Sequence, residues 1–160
     1  MELIFRKYVL IAFSYLMSAI VHGQTALPID LAKQQGIRIS GLDSLYMSGV
    51  HSDSTLAVFH NNQNEFIAAY QKMLQELGKF LAVYNYSWDK PTKAFNRVYF
   101  DKDGNVDYFL YSFRSGQLTV EQETRFGDLL NQFIQTYKFP LTADRGFAQC
   151  SPVTFMPSVD

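Results

Sequence analysis

An Asp103-Gly104 pair set between two apolar runs most constrains what this chain can fold into. Both residues tolerate positive φ, which the tight turn of a hairpin requires. Arg97-Val98-Tyr99-Phe100 leads into the turn and residues 106–113 lead out of it, so a hairpin is predicted over 95–113. Tyr108-Phe109-Leu110-Tyr111 lacks polar alternation. That pattern suits a central strand covered on both faces, or a one-sided strand whose tyrosine hydroxyls reach water.

Two helical patterns flank the hairpin. Phe66, Tyr70, Met73, Leu74, Leu77, Leu81 and Tyr84 recur at three- and four-residue steps, which places them on one helix face over 62–84. Asn62 and Glu65 are spaced as a capping box. The opposite face mixes Lys72 and Lys79 with Glu76, unlike the strongly basic face of a membrane-surface helix. A second helix is predicted over 119–138. Thr119 and Gln122 form its capping box, and Phe126, Leu129, Leu130, Phe133, Ile134 and Tyr137 form its apolar face. Residues 147–155 are expected to return as a strand that is either at an edge or bulged at Pro152, because Pro152 cannot donate to a ladder on both sides. Residues 24–61 are punctuated by Pro28, Gly36, Gly41 and Gly49. In them, a helical turn near 42–47 and a short strand over 55–59 are expected. The expected fold class is α+β: a small antiparallel sheet with two amphipathic helices packed on it, in a two-layer sandwich.

The first 23 residues have the form of a secretory signal. Arg6 and Lys7 precede a mostly apolar run from Tyr8 to Ile20, too short for the ~20 residues that span a bilayer. Val21-His22-Gly23 suits cleavage before Gln24, so a periplasmic or extracellular location is expected. Cleavage leaves 137 of the 160 residues and moves the net charge from -1 to -2. That balance lacks the electrostatic footprint of a nucleic-acid binder. The apolar content of 48% excludes a disordered chain, and a single Cys excludes an internal disulfide framework. One domain is expected over 24–160.

Few residues carry chemistry. Asp101, Asp103, Asn105 and Asp107 are spaced like the first half of a calcium loop, but Val106 and Ser112 stand where an EF-hand needs Gly and Glu. His51, near Asp53, and His60 are the histidines of the mature chain; their spacing matches no helical ligand pair. Cys150, among Phe147, Ala148 and Val153, is expected to be buried. No metal or cofactor is expected. Trp88, beside Tyr86, is either an exposed contact site or a lid folded onto the core. Asn85-Tyr86-Ser87 matches the N-glycosylation acceptor pattern.

The order strand, Asp-Gly turn, strand, helix, aromatic-Pro segment, strand over Asn96 to Phe155 resembles the TonB C-terminal domain. Residues Val98 to Asp107 are similar to that family's first hairpin, and Tyr137-Lys138-Phe139-Pro140 resembles its segment after the helix. The resemblance implies a small exported α+β domain that binds a partner through an exposed strand edge. It does not extend to energy transduction, because this chain has no Pro-rich spacer and carries an extra helix over 62–84. Two function classes follow. The first is a non-enzymatic binding or structural module using Trp88, Tyr86, Phe147, Val153 and Phe155, by way of the edge strand or the Trp88 loop. The second is a small thiol enzyme using Cys150 with His51 or His60.

Overall fold

The computed structural model describes residues 23–157; apart from Gly23, the expected signal segment lies outside them. The elements are β1 (Thr25–Pro28), α1 (Ile29–Gln34), α2 (Ile39–Leu45), β2 (Met47–Ser48), a 3-10 turn at Ser54–Leu56, α3 (Gln63–Val83), β3 (Thr92–Phe100), β4 (Val106–Phe113), α4 (Val120–Thr136) and β5 (Phe147–Phe155). They form an α+β fold on a five-stranded sheet of order β1-β4-β3-β5-β2.

The sheet is mixed, which corrects the antiparallel expectation. β3 pairs antiparallel with β4 and with β5, while β1 runs parallel to β4 and β2 runs parallel to β5. The two-layer arrangement is also corrected, because both faces of the sheet are covered. On one face α3 and α4 bury Phe66, Met73, Leu77, Phe126, Leu130 and Ile134 against Val98, Phe100, Phe109 and Tyr111. On the other, α1 and α2 bring Ala32 and Leu42 onto Tyr99, Leu110 and Ala148. The unalternating run in β4 follows from this double cover, since side chains point to opposite faces in turn.

Local signals explain most of the elements. Gly104 sits at φ +87° in the hairpin turn. Asp101 closes that turn by accepting hydrogen bonds from the backbone N–H groups of Asp103 and Asn105 at 2.9 and 2.8 Å, and from Asn105 Nδ2 at 2.7 Å. The carboxylate is thus committed to the turn, and Asp103 instead pairs with Lys102 at 2.9 Å. Thr119 and Gln122 exchange both bonds of the capping box that starts α4, worth about 1 kcal/mol. The box expected at α3 does not form: the Asn62 side chain makes no capping bond. Residues 55–59 are not a strand. Asp53 accepts from the Thr55 N–H and hydroxyl at 3.0 and 2.7 Å, which winds the chain into the 3-10 turn.

The core on the α3/α4 side divides into two aromatic clusters at opposite ends of the sheet. In one, Phe100 stacks on Phe147 at 5.0 Å, with Phe59, Phe66 and Phe139 around them. In the other, Trp88 stacks on Phe155 at 4.5 Å, with Tyr86, Phe113 and Phe126 around them. Gly49 belongs to the first cluster, because a Cβ there would strike the buried Phe66 ring. Gly78 in α3 meets nothing within 4 Å, so close packing does not account for it.

Two stability measurements check this description. In denaturant unfolding, Gly49→Ala is expected to lose about 1–3 kcal/mol to overpacking, while Gly78→Ala gains about 0.5–1 kcal/mol of helix propensity. Equal effects at the two positions would contradict the packing around Phe66. Asp101 gives a pH signature. Burial opposes its ionisation, but the bonds from Asn105, Asp103 and Gly104 outweigh that and hold the carboxyl below the usual range. Its contribution is present above the unfolded value of about 3.9 and is lost as pH falls through the lower folded value. Asp101→Asn is therefore expected to cost most stability near neutral pH and progressively less below about pH 4.

Candidate functional site

β5 is held along its whole length on one side only. Its register with β3 is unbroken from Phe147 opposite Phe100 to Phe155 opposite Thr92. On the other side, β2 covers only Phe147 and Ala148. The Gly49 N–H donates to the Ala148 carbonyl at 2.8 Å, so the polar backbone groups of Ala148 face β2. Period-two alternation then points those of Cys150, Pro152 and Thr154 to the same outer side. Among the described residues no strand meets them there. Pro152 fits this placement without a bulge, because its missing N–H falls on the outer side and costs no bond to β3.

A groove of about 560 Å³ runs beside this edge, lined by Leu74, Gly78 and Ala82 of α3 and by Trp88, Val153 and Phe155. The absence of a side chain at Gly78 leaves the groove open. Tyr86 also lines it. Four of the five residues singled out for binding thus converge, but as the floor of a groove. Trp88 is only 8% exposed, folded back against Phe155 as a lid on the core. Tyr86 is buried too, with its hydroxyl donating to the Gln122 carbonyl at 3.2 Å. Phe147 lies at the other end of β5, fully buried.

The thiol and the histidines are not brought together. Cys150 is exposed, which corrects the expected burial. Alternation places it on the α1/α2 face, whereas Phe147, Val153 and Phe155 turn to the α3/α4 core. It lines a groove of about 340 Å³ with Asp43, Tyr46, Arg97 and Gln149. His60 lies elsewhere, with Met47, Asp144 and Arg145. His51 Nδ1 accepts from the Asp53 N–H at 3.0 Å in a local turn. Neither histidine lines the groove of Cys150.

The ionic group beside Cys150 was not legible in sequence. Arg97 Nη1 donates to both Asp43 carboxylate oxygens at 3.0 and 2.9 Å, and the Tyr99 hydroxyl donates to the same carboxylate at 2.9 Å. Asp43 lies on α2, more than 50 residues away in the chain, and no local pattern links it to β3. Burial pushes the Tyr99 hydroxyl up to about 12, Arg97 opposing and Asp43 adding to the shift. Partial burial also raises the Cys150 thiol; Arg97 opposes this and Asp43 reinforces it. A raised thiol is mostly protonated at neutral pH and is a poor nucleophile.

No protein-family model, curated protein or solved structure matches the chain. Among the described residues, no helix is long and apolar enough to cross a membrane, and no group of three or more His, Cys, Asp or Glu is placed to hold a metal ion.

Cys150 supplies a direct check. A soluble thiol reagent is expected to label the native chain, with a pH–rate midpoint above the ordinary thiol value of about 8.5. Fast labelling at pH 7 with a midpoint below that value would mark an activated nucleophile and revive a thiol chemistry.

Proposed function

We propose that this protein is an exported, non-enzymatic binding module that captures an extended segment of a partner protein along the outer edge of β5. The observation that carries the proposal is the row of outward backbone groups at Cys150, Pro152 and Thr154, which no strand shares among the described residues, beside an apolar groove. An added strand gains main-chain hydrogen bonds from such an edge and selectivity from a pocket that takes alternate side chains. Here Thr154 offers both N–H and C=O, Pro152 offers C=O alone, and Cys150 offers its N–H, its C=O already accepting from Gln149 Nε2 at 3.2 Å. Apolar side chains of the incoming strand lie over Leu74, Gly78 and Phe155.

Pro152 guards against the wrong pairing. A long unshielded edge invites aggregation, and a proline in it removes one of the donors. The edge thus favours a ligand whose pattern tolerates a missing bond at its centre. The likeness to the TonB C-terminal domain read over Asn96 to Phe155 implies the same edge-binding role. The export part of the proposal rests on residues 1–23.

The test uses changes that spare the β3 ladder. Thr154→Pro removes one outward donor, and Gly78→Leu fills the groove where nothing stands within 4 Å. Thr154→Pro is expected to keep its thermal midpoint close to the parent, and Gly78→Leu to match or exceed it. In pull-down and in titration with the captured segment, Thr154→Pro is expected to weaken binding about 3–10-fold, the worth of one hydrogen bond. Gly78→Leu weakens it further. The amides of Cys150 and Thr154 gain protection from hydrogen exchange in the complex. A partner whose binding ignores both variants would overturn the proposal.

A further inference from the structure

A second groove, of about 280 Å³, lies at the opposite side of the sheet between β1, the start of α1 and α4. Leu27, Pro28, Leu31 and Val120 give it apolar walls, and Glu123 and Asp128 bring carboxylates to it. Asn131 fixes β1 beside it: its Oδ1 accepts from the Ala26 N–H and its Nδ2 donates to the Ala26 carbonyl, both at 2.8 Å. Neither Glu123 nor Asp128 has an ion-pair partner among the described residues.

Tyr111 supplies an independent observation. The residue is 1% exposed, and no hydrogen bond to its hydroxyl is made among the described residues; the oxygen is not one of the fully buried polar atoms and reaches the groove instead. The hydroxyl lines this groove and lies against Gly127, where a Cβ would stand 2.6 Å from it. A glycine inside a helix costs about 1 kcal/mol relative to Ala, and here the hydroxyl explains it. The same hydroxyl is raised well above the usual tyrosine value, by burial first and then by the charges of Glu123, Tyr86 and Asp128. The field at the floor of the groove is therefore negative.

We propose that the groove between β1 and α4 binds an organic cation, a guanidinium or primary ammonium on a short apolar stem. Its nitrogen donates to Glu123, Asp128 and the Tyr111 oxygen, while its stem lies on Leu31 and Val120. The volume is at the lower limit of small-molecule pockets and suits a ligand the size of one basic side chain. The groove is lined by none of the residues assigned to strand capture, so the two sites stand or fall separately.

Calorimetric titration of the purified chain tests this with three probes: agmatine, n-butylammonium and a five-residue peptide carrying one central Arg among Gly and Ala. At least one is expected to bind with Kd at or below about 1 mM at low salt, and more weakly as salt rises. Binding of agmatine or n-butylammonium identifies a free-cation site; binding of the peptide alone identifies a basic side chain of a partner as the occupant. Tyr111→Phe keeps the ring and is expected to weaken binding roughly 3–10-fold. Glu123→Gln with Asp128→Asn is expected to weaken it by roughly 100-fold or to abolish it. Glu121→Gln changes charge on the same helix outside the groove and should leave it unchanged. No binding of any probe at low salt, or binding equally weakened by Glu121→Gln and by the groove variants, would overturn the proposal.

Discussion

The pairing of β5 with β3 is the interaction on which the rest of the structure depends. β3 is central, with an antiparallel neighbour on each side. The hairpin forms β3 and β4 locally, but β5 arrives only after α4 has crossed the sheet. Nine unbroken register pairs then hold it. Its two ends are anchored by rings, Phe147 among Phe59, Phe66 and Phe100, and Phe155 against Trp88 and Phe126. Aromatic pairs of this kind add about 0.5–1.5 kcal/mol each beyond their buried area. A strand fixed at both ends and along one side can leave its other side open without fraying.

That asymmetry connects stability with the proposed function. Phe147, Phe155, Trp88 and Tyr86 are core residues first, and only the last three also shape the groove. The groups left at the open side of β5 are backbone groups, together with the space above Gly78. Recognition of this sort depends less on exposed side chains than on the register of β5. The same logic explains the glycines: Gly49 and Gly127 are each set against a ring or hydroxyl that a Cβ would strike, whereas Gly78 faces open space beside the candidate edge.

Much of the architecture was legible because its signals are local. The apolar period of α3, the capping box at Thr119, the turn at Asp103-Gly104 and the edge character conferred by Pro152 each depend on residues close in the chain. The parallel strands β1 and β2 were not legible. They have four and two residues, and their support comes from partners far along the chain: β4 and β5, and for β1 also Asn131 of α4. The helices α1 and α2 are equally short and carry no side-chain cap. Without them the second face of the sheet looked bare, and a two-layer sandwich followed.

The sequence by itself determined the two long helices, the hairpin, the strand over 147–155 and the absence of any internal cross-link, because periodicity, turn chemistry and composition act over a few residues. Only the tertiary structure decided which residues meet. It exposed Cys150, separated it from His51 and His60, and joined Arg97 and Tyr99 to Asp43 across more than 50 residues. It also turned Trp88 inward and, with β2 covering only Phe147 and Ala148, left most of one side of β5 without a strand partner among the described residues. The physical reason is that burial and edge pairing are set by which face of the sheet each side chain meets. That depends on strand order, which no local pattern encodes.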